Sequence, residues 1–299
     1  MHPYIHLGPL VLWSYGLMMG VGFSLGYLFG EADFKRRGVP IPMGIFLPAM
    51  VIAGMIGAKL DHAVVVQWHT LRQNPLAFDW VATFWGGYTW FGGVIGGISA
   101  AAVLAKLYKT PVLKVLDVAP VLALALACGR MGCFLAGDGD YGIPTSLPWG
   151  MTFPHGLVPT RVPVHPTPLY EIAYSLILFA VLWRRGRPES YARTWPGSQI
   201  ALYLFWTGLC RFFVEFLSRN AKVFAGLTEA QLVGILFILA ATALTLFHRR
   251  TGDYDASYPG HSGYSGTRVA GAGVAGAATG PESAALPQTG GASLHGSRA

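Results

Sequence analysis

Apolar residues dominate seven windows along the chain, residues 10–30, 43–60, 89–108, 112–135, 169–183, 199–217 and 231–248, separated by segments that hold most of the charge. A bilayer core about 30 Å thick takes roughly 17 to 25 such residues per helix, so each window predicts a membrane-spanning helix and none predicts a barrel strand. The fourth window contains Asp117 and Pro120 and the fifth is short, which leaves their ends the least sharply drawn. The expected fold is therefore an all-α integral membrane protein, a seven-helix transmembrane bundle.

The polar segments set the orientation. Twelve Lys and Arg fall in the first, third and fifth loops and at the start of the tail, against four (Arg72, Arg161, Arg219 and Lys222) in the second, fourth and sixth. Positive charge stays in the cytoplasm, so the N-terminus is expected outside, the C-terminus inside, and the fourth loop facing outward. That loop, 139–168, is long, rich in Gly and Pro, and carries Trp149, Phe153, His155 and His165, as a functional segment lying along the headgroups would. Residues 251–299 change character. Gly, Ala and Ser dominate there, too little apolar surface is available to fold, and a disordered cytoplasmic tail is expected beyond a membrane domain of residues 1–250.

Composition narrows the function. Hydrophobic residues make up 53% and charged residues 12% of the chain, about half the charge of an ordinary soluble domain, which fits a lipid solvent. The net charge of +7 lies in short loops beside apolar runs, so it sets topology and does not form a nucleic-acid groove. Three cysteines, Cys128, Cys133 and Cys210, sit in or beside apolar segments without CxxC or His-rich partners, and neither a disulfide framework nor a metal site is expected. No cofactor is implied.

Four stretches carry chemistry. GRMGCFLAGDGDYG, residues 129–142, places Arg130 at the end of the fourth window beside Asp138, Asp140 and five glycines. A guanidinium at the membrane boundary beside open backbone suits a lipid phosphate, and a structural pair of Arg130 with Asp138 or Asp140 is the alternative. GLCRFFVEFLSR, residues 208–219, puts Arg211 and Glu215 four apart on one face within an apolar span, where ionisable groups mark polar cavities or an ion pair. HPTPLYE, residues 165–171, offers Thr167 as a cap and Pro168 for the first turn, leaving His165, Tyr170 and Glu171 without a helix-start reason. WSYG places Tyr15 near the outer boundary, as an interface anchor or a site residue. Gly54, Gly57, Gly92, Gly93, Gly96 and Gly97 have the small-xxx-small spacing of closely packed helices.

The order WSYG, GAK, a Gly-Gly third helix, GRxG with an acidic glycine-rich loop, HPTPLYE and RFFVEF resembles the prolipoprotein diacylglyceryl transferase (Lgt) family from about Tyr4 to His248. The resemblance implies a transferase of the bacterial plasma membrane. Its partners would be phosphatidylglycerol and the lipobox cysteine of a prolipoprotein signal peptide, joined as a thioether with release of glycerol 1-phosphate. It implies that Arg130 and Arg211 hold the phosphate, that Glu171 and Glu215 orient them, and that Tyr15 lines the lipid entrance or donates a hydrogen bond. Tyr170, Asp138, Gly142, Gly92 and Gly93 would contribute to substrate binding. The sequence departs from the family at Phe91, where a His is usual before Gly-Gly, at Cys133 for Asn, at 136–138 for Asn-Gly-Glu, and at Thr207 for Tyr. With that His gone, His165, His155 and His62 are the outer-face base candidates, and Cys133 is either a nucleophile or an inert apolar residue. A divergent relative with another acceptor and a non-catalytic lipid-binding protein are the competing readings.

Overall fold

Glycines at helix crossings set how closely the bundle packs. A computed structural model describes residues 3–8, 10–73 and 87–251. Each of the seven apolar windows holds a helix: α1 (Ser14–Arg37), α2 (Met43–Gln73), α3 (Trp90–Leu107), the short α4 (Val112–Leu116) followed by α5 (Ala119–Ala136), α6 (Thr167–Arg185), α8 (Ser198–Val214) and α9 (Glu229–Thr251), with the one-turn α7 (Pro188–Tyr191) between α6 and α8. Among the described residues, five stretches, Met43–Val65, Trp90–Leu107, Val112–Ala136, Ser198–Leu217 and Glu229–Arg250, are long and apolar enough to cross a membrane. The α1 and α6 helices do not reach that apolarity. α1 ends in EADFKRR, and α6 holds Glu171 near its start and two arginines at its end.

Two expectations are corrected. The chain is not purely α, because among the described residues three antiparallel ribbons flank the helices: β1 (Tyr4–Leu7) with β2 (Leu10–Trp13), β3 (Met151–Phe153) with β4 (Thr160–Val164), and β5 (Lys222–Phe224) with β6 (Leu227–Thr228). Consequently the first helix does not begin at residue 10. Leu10–Trp13 alternates in strand register with Tyr4–Leu7, and the helix starts at Ser14, whose amide and hydroxyl both bond to the Pro3 carbonyl at 2.9 and 3.0 Å. The fourth loop is likewise built around the β3–β4 ribbon, which Pro144 joins by a bridge to Val164. The expected tail, residues 251–299, lies outside the described residues apart from Thr251.

Pairing follows the small residues. A Cβ on Gly92 of α3 would fall 2.2 Å from the Gly57 carbonyl of α2, one on Gly57 equally close to the Gly92 carbonyl, and one on Gly96 2.2 Å from the Ala53 carbonyl. Gly208 of α8 and Gly234 of α9 meet in the same way, with 2.5 Å from the added carbon to the facing carbonyl. Such contact suits lipid, where association rests on close packing because the solvent is as apolar as the side chains. The large side chains point outward accordingly: Ile52, Ile95, Phe213 and Leu239 are all exposed.

One end of the bundle is closed by charge. Asp33, fully buried in α1, binds Arg36 and Arg37 one turn on. Arg36 reaches the Trp183 carbonyl (2.8 Å) and lies 3.7 Å over its ring, while Arg37 reaches the Lys114 carbonyl (2.7 Å), tying α1 to α6 and α4. Asp117 explains the break between α4 and α5. Its buried carboxylate accepts from the amides of Gly197 (2.8 Å), Gln199 (3.0 Å) and Ile200 (2.9 Å) and from the Tyr191 hydroxyl (2.8 Å), so it caps α8 from the hinge between α4 and α5.

Asp117→Ala would leave three buried amides and a phenol unpaired, at about 1 to 3 kcal/mol for each group left without a partner. The expected result is a lower thermal unfolding midpoint in detergent than for an exposed control such as Glu189→Ala; equal midpoints would remove the capping role.

Candidate active site

The opposite end of the bundle carries the charged residues singled out in the sequence, and they meet around one carboxylate. Glu171 lies in the second turn of α6, buried to 1% exposure, because Thr167 and Pro168 start the helix just inside the bundle. Its Oε2 pairs with Nε of Arg130, from α5, and its Oε1 with Nη1 of Arg211, from α8. Arg130 also holds the Asp140 carboxylate (2.5 Å), and Arg211 approaches Glu215 Oε2 at 3.1 Å, one turn along its own chain. That last contact is within ion-pair range but off the hydrogen-bond direction. Glu215 is held instead through Oε1 by the Asn220 amide at 2.6 Å. The result is a chain of alternating charge, Asp140, Arg130, Glu171, Arg211, Glu215, in which the guanidiniums keep 21% and 24% of their side-chain surface.

Two cavities flank this chain. One, about 620 Å³, is lined by Trp13, Tyr15, Trp90, Arg130, Cys133, Asp138, Asp140 and Leu157 among others. The second, about 560 Å³, is lined by Trp90, Arg130, Tyr174, Tyr203, Thr207, Arg211, Asn220 and Glu229 with apolar neighbours. Trp90, Leu126 and Arg130 belong to both, so Arg130 stands in the wall between them and Arg211 opens only to the second. An anion drawn to both guanidiniums would sit at that junction, where partial burial strengthens charge-assisted hydrogen bonds.

Each sequence-predicted residue has a definite place. Tyr15 lies over Gly132, where an added Cβ would come within 2.9 Å of its ring, so the second glycine of GRMG makes room for it. Gly142 is needed for close approach: its Cβ would fall 2.2 Å from the Leu217 carbonyl, and its amide bonds the His165 carbonyl at 2.8 Å. His165 and Tyr170 form a pair beside the charged chain, Nδ1 to hydroxyl 3.1 Å, with Trp149 Nε1 donating to the same hydroxyl at 2.8 Å. Thr167 Oγ1 donates to the Asp140 carbonyl, linking that pair's helix to the loop that holds Arg130.

Gly92 is placed differently from the substrate-binding expectation. It is buried against the α2 backbone, a helix-packing position, and Gly93 also faces α2, 3.7 Å from the Gly54 carbonyl to an added Cβ. Phe91 is 41% exposed with its ring 5.3 Å from Trp90, so of the two it is Trp90 that borders the cavities. His155 is exposed on the fourth loop, and His62 packs beside Gly87. Sequence reading missed Trp90, Tyr174, Tyr203 and Asn220. The spacing Tyr203, Thr207, Arg211, each one helical turn apart, was a signal for the second of these cavities; Asn220, in a loop, offered none.

Asp138, just beyond the α5 cap at Gly137, does not bind Arg130. Its carboxylate accepts the Asp140 amide (3.3 Å) and lies beside the Cys133 thiol. Cys133 Sγ and the carboxylates of Asp138 and Asp140 fall within 4.8 Å of one another, a grouping the spacing alone did not suggest. Loss of solvent is the main cause raising the Asp138 carboxyl above its ordinary value, reinforced by the Asp140 carboxylate. A raised folded-state value means that stability is fully present below the ordinary aspartate range and is lost as pH rises through the folded value. Asp138→Asn, which mimics the protonated form, should leave the unfolding midpoint near pH 3.5 unchanged and raise it at pH 7 to 8; no gain at neutral pH would contradict the assignment.

A family model described as prolipoprotein diacylglyceryl transferase matches residues 3–247 of the chain. Among curated relatives, the phosphatidylglycerol–prolipoprotein diacylglyceryl transferase of Nitrosospira multiformis is 33% identical over 265 residues, covering 83% of this chain and 86% of the relative. That of Nitrosomonas europaea is 33% identical over 234 residues, 75% and 79% of the two chains. The Bacillus cytotoxicus protein of the same name is 29% identical over 262 residues, 85% and 94%.

Proposed function

The chain belongs to the prolipoprotein diacylglyceryl transferase family, and on that premise we propose how its site works. It is a multi-pass membrane transferase whose substrates are phosphatidylglycerol and a prolipoprotein. The diacylglyceryl group passes to the lipobox cysteine thiol, a carbon–sulfur bond forms, and the glyceryl carbon–oxygen bond to phosphate breaks with its electron pair going to glycerol 1-phosphate. The observation that carries the mechanism is the meeting of Arg130 and Arg211 on one buried carboxylate at the junction of two cavities.

Charge grows on the phosphate oxygen as the bond breaks. Preorganised donors aimed there lower the barrier because they need no reorganisation in a site that excludes water. Arg130 and Arg211 fill that role as the phosphate-holding residues. Glu171 and Glu215 act as positioning residues: Glu171 fixes both guanidiniums at one spacing, and Glu215, pinned by Asn220, steadies Arg211. Asp140, with 46% of its side chain exposed, occupies the Arg130 Nη1 that a phosphate would take, and yields it when lipid enters. Tyr15 and the indoles of Trp13 and Trp90 form the wall on the α1 side, suited to the glyceryl and upper acyl region.

We read the five apolar stretches together with α1 and α6 as seven spans in the plasma membrane, residues 1–250 as the transferase and 251–299 as a cytoplasmic tail. The charged closure by Asp33, Arg36, Arg37 and Lys114 lies at the opposite helix ends from Arg130 and Arg211, in line with a cytoplasmic basic end and an outward site.

In a bacterium depleted of its own enzyme of this family, the wild-type chain should restore thioether-linked diacylglycerol on lipoproteins; a well-expressed chain that does not would overturn the reading. Arg130→Ala and Arg211→Ala should each lower transfer by about 10²- to 10³-fold or more, as removal of an oxyanion donor does. Asp140→Asn should lower KM for the lipid severalfold, since the phosphate no longer competes with a carboxylate; an unchanged KM would show that the Asp140 contact is not displaced.

A further inference from the structure

Transfer to a thiol also needs a place for the thiol's proton, and the centre of the charged chain offers none: its guanidiniums hold no lone pair to receive one, and the buried Glu171 carboxylate is committed to both of them. We propose that Tyr170 and His165 take that proton as a two-step relay, with Trp149 setting the direction of its hydrogen bonds. The proposal rests on the transfer reading above and names the acceptor side of that same site.

The direction follows from donor inventory. An indole N–H can only donate, so the 2.8 Å contact from Trp149 Nε1 occupies one lone pair of the Tyr170 hydroxyl. The phenolic hydrogen is then assigned to His165 Nδ1 at 3.1 Å, and one lone pair of the hydroxyl oxygen stays available to a third group. An entering thiol can use it. Its S–H proton passes to the Tyr170 oxygen while the phenolic hydrogen passes to Nδ1, so a thiolate forms and the imidazole becomes an imidazolium, with no other reactant needed. After transfer the proton returns through Tyr170 to solvent or to the departing phosphate. Tyr170 is the catalytic residue here because it touches the thiol; His165 acts through it.

The pair is built to stay in place. His165 is 9% exposed, and its backbone is pinned on both sides, its amide to the Ile143 carbonyl (3.1 Å) and its carbonyl to the Gly142 amide (2.8 Å). The rings meet edge on, centroids 6.2 Å apart. Tyr170 directly precedes Glu171 on α6, and Thr167 ties this turn to Asp140, so the relay and the guanidinium pair share one rigid element. Trp149 comes from the outward loop, so the relay is complete only when that loop is docked. Charged groups on the surrounding elements are Glu171 of α6, Asp138 and Asp140 of the loop, Arg161 of β4, Arg130 of α5, Arg211 of α8, Glu215 after it, and Arg219, which lies 4.3 Å over the Tyr141 ring. These are four carboxylates and four guanidiniums, so an imidazolium forms in surroundings without net formal charge.

The full-length chain in phosphatidylglycerol vesicles, with a lipobox peptide as acceptor, tests this between pH 6 and 9.5. Tyr170→Phe should lower kcat at pH 7 by about 10²-fold, the lower end for general acid–base groups, with KM for the lipid within twofold of wild type. The deficit should shrink as pH rises past the free thiol value of about 8.5, because the thiolate then forms without help. His165→Gln should show the same profile and the double variant should be no worse than either single one. Trp149→Phe should give a smaller loss with the same pH dependence. A deficit that is constant with pH, a raised lipid KM as the main change, or additive losses in the double variant would assign these residues a structural role and overturn the relay. If Tyr170→Phe does not fold, His165→Gln gives the same reading. An inactive wild-type chain overturns the transfer reading and the relay together, whereas an active wild type with an unaffected Tyr170→Phe overturns the relay alone.

Discussion

Two guanidiniums from different helices share one buried carboxylate, and one end of the bundle is arranged around that fact. Placing Arg130 and Arg211 near hydrocarbon is costly for each alone, and removing one partner of a buried pair typically costs about 3 to 5 kcal/mol. Glu171 makes the arrangement stable while leaving roughly a fifth to a quarter of each arginine side chain open to a cavity. The carboxylate therefore does two things at once. It neutralises the two cations and fixes the distance between them, so that in the proposed mechanism a phosphate would meet donors already in position and not two mobile side chains.

That constraint reaches into the rest of the fold. Arg130 is in place because Gly132 lets α1 lie against α5 with Tyr15 across the glycine, and Arg211 because Gly208 lets α8 meet α9 backbone to backbone. Gly142 allows the loop after Asp140 to touch the chain leaving α8, at the Leu217 carbonyl. Substituting Gly142 or Gly208 would press on facing backbone and so move a loop or a helix, whereas at Gly132 the Tyr15 side chain would have to shift. The site is in this sense a product of helix spacing.

Much of this was legible in the sequence, and the reasons differ by element. The apolar windows located the helices because hydrocarbon imposes length and composition directly. Arg211 and Glu215 were readable as a pair because their spacing is local. Arg130 with Glu171 was suggested only by the order of motifs, since nothing in either stretch specifies the other. The second strand of the first hairpin, residues 10–13, was read as the start of a helix because its residues are apolar enough for either, and the alternation that marks a strand is short there. Trp90 was overshadowed by Phe91, its neighbour, since which of two adjacent aromatics faces a cavity depends on the rotation of α3 about its own axis. Gly92 fitted both a ligand-approach and a packing explanation until α2 was seen lying across it.

Asp117 carries a consequence for biogenesis. The first turn of α8 is closed by a side chain contributed some eighty residues earlier, from the hinge between α4 and α5. During vectorial synthesis that acceptor is made and inserted before the amides it serves, so the C-terminal half arrives to find its receptor already present. The order of the chain thus lets the early helices serve as a template against which the later ones, bearing the second arginine, can dock.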